Sequence, residues 1–188
     1  MAGRSAAVLS IENAASPRDE AVTDLPSIPW NPLSFASARV AIIEAETALG
    51  GSLDELVLFA DPPENPVGIV ELTPKVIEGA ALSWAAGWSE LIREAAKRFA
   101  EHGGGTIILV VVQAERGPLG AMAAGALLGL AEGILSVGCG SVRFIAVRDE
   151  SGQSDLLARH VIRMLDESPR DQGKVQRFGG RSNLFGRN

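Results

Sequence analysis

Residues 106–112 read TIILVVV, and this stretch decides the fold. The run is continuously apolar and rich in β-branched side chains, with no alternation between apolar and polar positions. Such a run is typical of a strand covered on both faces, as the strands of parallel sheets are. Three glycines at 103–105 precede it and end a long helical pattern. The sequence therefore predicts a buried strand that follows a helix.

Strand and helix patterns alternate around this central run. Apolar runs predict strands at 6–11, 56–60, 106–112, 141–147 and 174–178, and helical spacing predicts helices at 38–49, 73–102, 117–133 and 154–166. This alternation predicts an α/β fold, a truncated Rossmann-like parallel sheet with helices on both faces. We expect one domain over residues 1–188. Four prolines predict an irregular connection at about 12–34.

Composition narrows the classes of function. A chain of 188 residues with 46% hydrophobic and 21% charged residues is typical of a globular domain. The net charge of −6 argues against nucleic acid as a partner. Cys139 is the lone cysteine, which fits a reducing compartment. The first apolar run is too short for a signal peptide, so we expect a cytoplasmic protein.

Residues 117–133, GPLGAMAAGALLGLAEG, combine a helical pattern with five glycines. Each glycine inside a helix costs about 1 kcal/mol relative to alanine. Gly125, Gly129 and Gly133 lie four apart, the spacing of close helix pairs in bilayers, and 119–137 approaches the length of a membrane span. Glu132 within the run and the absence of basic flanks favour a helix outside a membrane.

Five stretches in this order resemble the short-chain dehydrogenase/reductase family. They are DELVLFA at 54–60, GGGTIILVVV at 103–112, GAMAAGALLGLAEGIL at 120–135, SVRFIAV at 141–147 and GKVQRFGG at 173–180. The resemblance spans about residues 38–180. It implies a fold that binds a nicotinamide cofactor and reduces a carbonyl group, with a tyrosine as general acid, a lysine that lowers the pKa of the tyrosine and a serine that orients the carbonyl.

The residues at the family's functional positions depart from that pattern. Gly120 stands at the tyrosine position, Ala124 at the lysine position and Val112 at the serine position, while the helix asparagine falls near Ser83 or Trp84. The chain contains no tyrosine at all. Because glycine and alanine cannot transfer a proton, we expect no catalysis of the family's reaction.

Cofactor binding is expected to be absent as well. The turn after a Rossmann fold's first strand needs glycines that let pyrophosphate approach a helix N-terminus. Here no glycine lies between Gly3 and Gly50, and Leu58, Phe59 and Asp61 occupy the positions that line the family's cofactor. The span from the first strand to residues 56–60 is also about one strand–helix unit shorter than the family usually has. We therefore predict no cofactor and no metal.

The resemblance implies that 73–102 and 117–133 face another subunit, so that two helices from each partner meet. A helix covered on both sides needs no polar face, which explains its apolar character. The predicted interface residues are Trp84, Trp88, Leu91, Gly125, Leu128, Gly129 and Glu132. Two alternatives remain: the glycines accommodate the domain's own sheet, and at least one of the tryptophans packs in the core.

Other polar residues carry weaker functional signals. Asp61 and Glu64 form either an acidic pair at the edge where α/β folds bind ligands or a solvated loop. His102 suits a helix C-terminus, and His160 is expected at the surface. The thiol of Cys139 is expected to be buried and inert. The basic residues from 174 to 187 form either a solvated end or a dock for an acidic partner.

These observations predict a catalytically silent relative of the reductases that acts as a structural or regulatory subunit. It would form a homo-oligomer or a hetero-oligomer with an active reductase, without nucleic acid or membrane. One alternative is a subunit of a nicotinamide-dependent oxidoreductase of the 3-oxoacyl reductase type, with new chemistry around Asp61, Glu64 or Ser83. Another is a small-ligand module whose pocket is lined by Phe59 and Val112.

Overall fold

A computed structural model of the chain describes residues 5–11, 25–62, 64, 67–113, 117–167 and 173–179. The strands are β1 (Val8–Ile11), β2 (Ser27–Trp30), β3 (Glu55–Ala60), β4 (Gly105–Val112), β5 (Val142–Asp149) and β6 (Gln176–Phe178). The helices are α1 (Phe35–Leu49), α2 (Pro74–Ala80), α3 (Trp88–Glu101), α4 (Gly117–Val137) and α5 (Ser154–Asp166).

All strand pairs are parallel. The four-stranded sheet has the order β3-β4-β5-β6, and β1 pairs with β2 in a separate two-stranded ladder. Helices lie on both faces of the larger sheet. The predicted α/β class, a truncated Rossmann-like parallel sheet, is confirmed.

Burial on both faces explains why the sequence of the central strand β4 does not alternate between apolar and polar residues. Ile107 and Leu109 lie in the larger core cluster, beneath α1, α3 and α4, whereas Ile108 and Val110 lie in a second cluster against α5. All four side chains are 0% exposed. Because each face of the strand meets a helix layer, every position is apolar.

Strand β2 lies within the segment predicted to be irregular, and this part of the prediction is corrected. Residues 27–30 read SIPW and pair with β1 in the register Ser10 to Pro29. Strand β2 pairs only with β1 in the described part of the chain. The missing N–H of Pro29 is tolerated on such an edge strand because no further ladder needs it.

The predicted helix at 73–102 is one continuous helical path with a wider turn in its middle. A π-helical segment, Ala81–Gly87, joins α2 to α3. At Gly87 an added Cβ would lie 2.1 Å from the backbone oxygen of Pro32. The glycine therefore lets the chain before α1 approach the helix, and the indole of Trp30 meets that of Trp88 edge-on at 5.4 Å.

An ion pair joins α1 to α3 on the same side of the sheet. The Nε of Arg98 donates to both carboxylate oxygens of Glu46, at 3.1 and 2.9 Å. The Glu46 residue is 8% exposed. The carboxylate raises the pKa of Arg98 above its ordinary value through this hydrogen bond and its charge.

Candidate functional site

The three residues that we predicted at the family's catalytic positions lie at the end of β4 and in the first turns of α4, and none of them carries an acid or a base. Val112 ends β4, and Gly120 and Ala124 lie in the first turns of α4. Gly120 is buried and Ala124 is 4% exposed within the larger core cluster. These positions therefore carry small or apolar residues, and Ala124 packs in the core.

The buried carboxylate at this end of the sheet serves the local backbone. Asp149, at the end of β5, is 3% exposed. Its Oδ1 accepts hydrogen bonds from the backbone N–H of Ser151 at 2.9 Å and from the Ser151 hydroxyl at 2.6 Å. The side chain thus holds the turn that leads to α5, a structural role for which an aspartate is well suited.

The acidic loop after β3 is open to solvent. Asp61 and Glu64 are both exposed, and Ser83 lies half-buried in the π-helical segment. Within the described residues, no group of three or more histidine, cysteine or carboxylate side chains is placed to hold a metal ion.

The two histidines and the cysteine occupy separate parts of the fold. His102 follows α3 and lies 3.7 Å from Glu46. The ring of His160 stacks on Phe178 at 4.8 Å, and its Nδ1 lies 3.1 Å from a guanidinium nitrogen of Arg163. Burial and then the charge of Arg163 lower the pKa of His160. Burial raises the pKa of the Cys139 thiol, which disfavours the reactive thiolate.

The predicted interface residues separate into two groups. Trp88 and Leu91 are 4% and 1% exposed and pack in the protomer's core, so they are removed from the predicted interface. Trp30, a residue that the sequence analysis did not single out, covers Trp88. Trp84 is half-buried and stacks on Trp88 at 5.5 Å.

The α4 residues of the predicted interface form an open surface. Gly125, Gly129 and Glu132 are exposed, and Leu128 is half-buried. A Cβ added at Gly125, Gly129 or Gly133 would meet nothing within 4 Å. These glycines therefore do not serve close approach of the domain's own sheet. We call the exposed stripe Ala121, Gly125, Gly129 and Gly133 the glycine face.

Helix α4 is long and apolar enough to cross a membrane, judged by length and composition alone. The core helix of a soluble protein passes the same test, but here only 28% of the most apolar window is buried within the protomer. The helix thus carries more apolar surface than its own fold covers.

A cleft of about 470 Å³ runs between β1 and β3. Its walls include Leu9, Leu58 and Phe59, and its floor includes Trp88 and Leu91 from α3. Phe59 belongs to the predicted pocket, but Val112 does not line the cleft, which lies alongside β3 rather than across the carboxyl ends of β3 and β4. Sequence reasoning missed this position because it depends on β1 and β3 lining one space without pairing.

No protein-family model and no curated protein matches the sequence. Solved structures of short-chain dehydrogenases and reductases do match the fold. A short-chain dehydrogenase from Mycobacterium smegmatis superposes with a TM-score of 0.68 at 19% identity, over 84% of this chain and 71% of that chain.

Two further structures give the same result. A 3-ketoacyl-(acyl-carrier-protein) reductase from Brucella melitensis, complexed with NADH, has a TM-score of 0.69 at 15% identity over 84% of this chain and 78% of its own. An acetoin dehydrogenase from Enterobacter cloacae has a TM-score of 0.66 at 15% identity, over 82% of this chain and 73% of its own. The fold is therefore that of the short-chain dehydrogenases and reductases.

Proposed function

We propose that this chain is a catalytically silent relative of the short-chain reductases that acts as a cytoplasmic structural or regulatory subunit. It pairs through α4, and through the neighbouring π-helical segment that carries Trp84, with a second copy or with an active reductase. The observation that carries the proposal is the glycine face, where added side chains would meet open space on an apolar helix.

The apolar packing at the reductase positions supports catalytic silence. A carbonyl reduction needs a group that delivers a proton to the oxygen as hydride reaches the carbon. Val112, Gly120 and Ala124 have no side chain able to do so. The neighbouring carboxylate of Asp149 already accepts two hydrogen bonds from Ser151.

The surface of α4 supports pairing. Its glycines carry a propensity penalty of about 1 kcal/mol each, and the protomer gives no steric reason for Gly125 or Gly129. A second helix that packs closely on this face would supply that reason, since the backbones could approach without intervening Cβ atoms. Such contact would also cover apolar surface that the protomer leaves exposed.

The pairing can be tested with one substitution and a matched control. Gly129→Leu fits the free protomer but blocks close helix contact, so we expect it to weaken self-association at least about tenfold in analytical ultracentrifugation. Ala158→Leu makes a similar apolar addition at an exposed position of α5 and should leave association unchanged. If the unmodified chain is monomeric at micromolar concentration and elutes apart from a co-expressed reductase, pairing is refuted.

The main rival is a nicotinamide-dependent oxidoreductase subunit, and a thermal-shift titration with NADH and NADPH separates the two. The proposal predicts no saturable rise in melting temperature with either nucleotide. A ligand at a hundred times its Kd stabilises a protein by about 2.7 kcal/mol, so real binding would be detected. A saturable rise accompanied by turnover of a carbonyl substrate would overturn the silent assignment.

A further inference from the structure

We propose that the cleft between β1 and β3 is a strand-addition site for an extended, uncharged segment of a partner polypeptide. This proposal is independent of pairing through α4, which packs on β4, β5 and the π-helical segment.

The first observation is that Val57 and Phe59 of β3 have no ladder partner on one edge within the described residues. The N–H of Thr106 donates to the carbonyl of Asp54 at 2.8 Å, so the backbone of Asp54 faces β4. In a strand, the N–H and C=O groups of one residue point to the same edge and those of the next residue point to the opposite edge, so the backbone groups of Leu56 and Leu58 also face β4. The N–H and C=O groups of Val57 and Phe59 therefore point to the other edge. In the described part of the chain, no ladder pairs with that edge.

The second observation is a matching edge on β1. The N–H of Val8 donates to the carbonyl of Pro26 at 2.8 Å, so Val8 faces β2 and Leu9 faces away from it. The side chains of Leu9, Leu56 and Leu58 pack in or against one core cluster. The two strands thus share one sheet surface, and both line the cleft that separates them. Among the residues that the structure describes, the edge of β1 that faces away from β2 therefore lies across the cleft from the edge of Val57 and Phe59.

The dimensions suit a short strand. A residue in a strand rises about 3.3 Å along the strand, neighbouring strands lie about 4.8 Å apart, and packed layers lie about 10 Å apart. The product of these lengths gives each strand residue a volume of roughly 160 Å³. A cleft of about 470 Å³ then has room for roughly three residues, close to the four-residue length of β1.

The lining defines the chemistry of the occupant. The floor is formed by apolar side chains that include Ile42, Ala45 and Leu91, and Glu55 is the one ionisable residue among the described lining. The inserted segment must therefore direct large apolar side chains towards the core at alternate positions. The N–H and C=O groups of Val57 and Phe59 have no ladder partner in the described part of the chain. A peptide supplies both donors and acceptors to such groups, whereas a hydrocarbon supplies neither.

The probe is a capped hexapeptide that alternates valine and threonine, added to the full-length chain. Its matched control has the same side chains with every second amide N-methylated, which removes the donors to one edge. Amide hydrogen exchange followed by NMR is the readout. We expect the first peptide to slow exchange at Val57 and Phe59 saturably, by roughly tenfold, and the methylated peptide to have no effect. Leu56 and Leu58 amides, already bonded to β4, should not change.

A substitution tests the same edge from the protein side. Val57→Pro removes the N–H that faces the cleft and leaves the β4 ladder intact, so the response at Phe59 should disappear. Val57→Thr keeps the N–H and should retain the response. If the proline variant does not fold, the comparison of the two peptides still decides.

Several results would overturn the proposal. One is an equal response to both peptides, and another is no response to either. A third is exchange at Phe59 that slows with protein concentration alone, which would make a second copy the occupant. The fourth is a saturable change in tryptophan fluorescence with decanoic acid but not with the peptide, which would indicate a small apolar ligand.

Discussion

Replacing Gly87 with alanine should destabilise the fold despite the better helix propensity of alanine. The new Cβ would lie 2.1 Å from the oxygen, 2.8 Å from the carbonyl carbon and 2.9 Å from the Cα of Pro32. All three are backbone atoms, so no side chain can rotate away. The segment before α1 must move by about an ångström, and the contact between Trp30 and Trp88 moves with it.

The size of the effect follows from two opposing terms. Overpacking costs about 1–3 kcal/mol, and a backbone obstacle places this site at the upper end. Alanine returns about 1 kcal/mol of helix propensity. The expected net loss is about 2 kcal/mol in the free energy of unfolding. For a chain of 188 residues this corresponds to a melting temperature lower by about 4–8 °C.

Thermal and urea unfolding followed by circular dichroism would measure this loss. Gly79→Ala is the matched control, because a Cβ added at Gly79 in α2 meets nothing within 4 Å. It should be neutral or stabilise by up to about 1 kcal/mol. If Gly87→Ala melts at or above the temperature of the unmodified chain, the close approach of Pro32 is not a constraint and the reasoning fails.

Two further predictions concern charged groups. The pKa of His160 is lowered in the folded state, so its contribution to stability is present above the ordinary value of about 6.5 and is lost as the pH falls through the lowered pKa. His160→Phe keeps an aromatic ring stacked on Phe178 but removes the titrating group. The melting temperature of this variant should therefore fall less between about pH 7 and pH 5 than that of the unmodified chain. An equal fall in both proteins would contradict the assignment of this pH dependence to His160. Arg98→Met should lower the urea concentration at the unfolding midpoint, because the buried Glu46 carboxylate loses its main partner; urea unfolding would measure it, and an unchanged midpoint would show that water replaces the guanidinium.

The sequence predicted the parallel strands β3 to β6 because they are continuous apolar runs separated by helical patterns, but it placed residues 6–11 in the same sheet, whereas β1 pairs with β2 in a separate ladder. Strand β2 was not predicted because its proline, its short length and the prolines on either side of it are typical of a loop, and its strand character depends on pairing with β1. The burial of Trp88 and Leu91 could not be predicted either. Helical spacing places the apolar residues of α3 on one stripe, but it does not show whether that stripe packs in the core or against a partner. Trp88 is buried in part because Trp30, from a distant part of the sequence, packs against it.

The cleft lies where the described sheet is interrupted between β1 and β3. In a parallel sheet, each added strand needs a crossover helix that covers one face. The resemblance led us to expect a span between β1 and β3 that is about one strand–helix unit shorter than in the family, and such a shortening would remove one strand and its covering helix. In the described part of the chain, no strand pairs with β3 on the side of the cleft. Val57 and Phe59 of β3 are 41% and 50% exposed. An inserted strand would pair the backbone of these residues but leave their side chains open, so a partner that also contributes a helix would complete both layers.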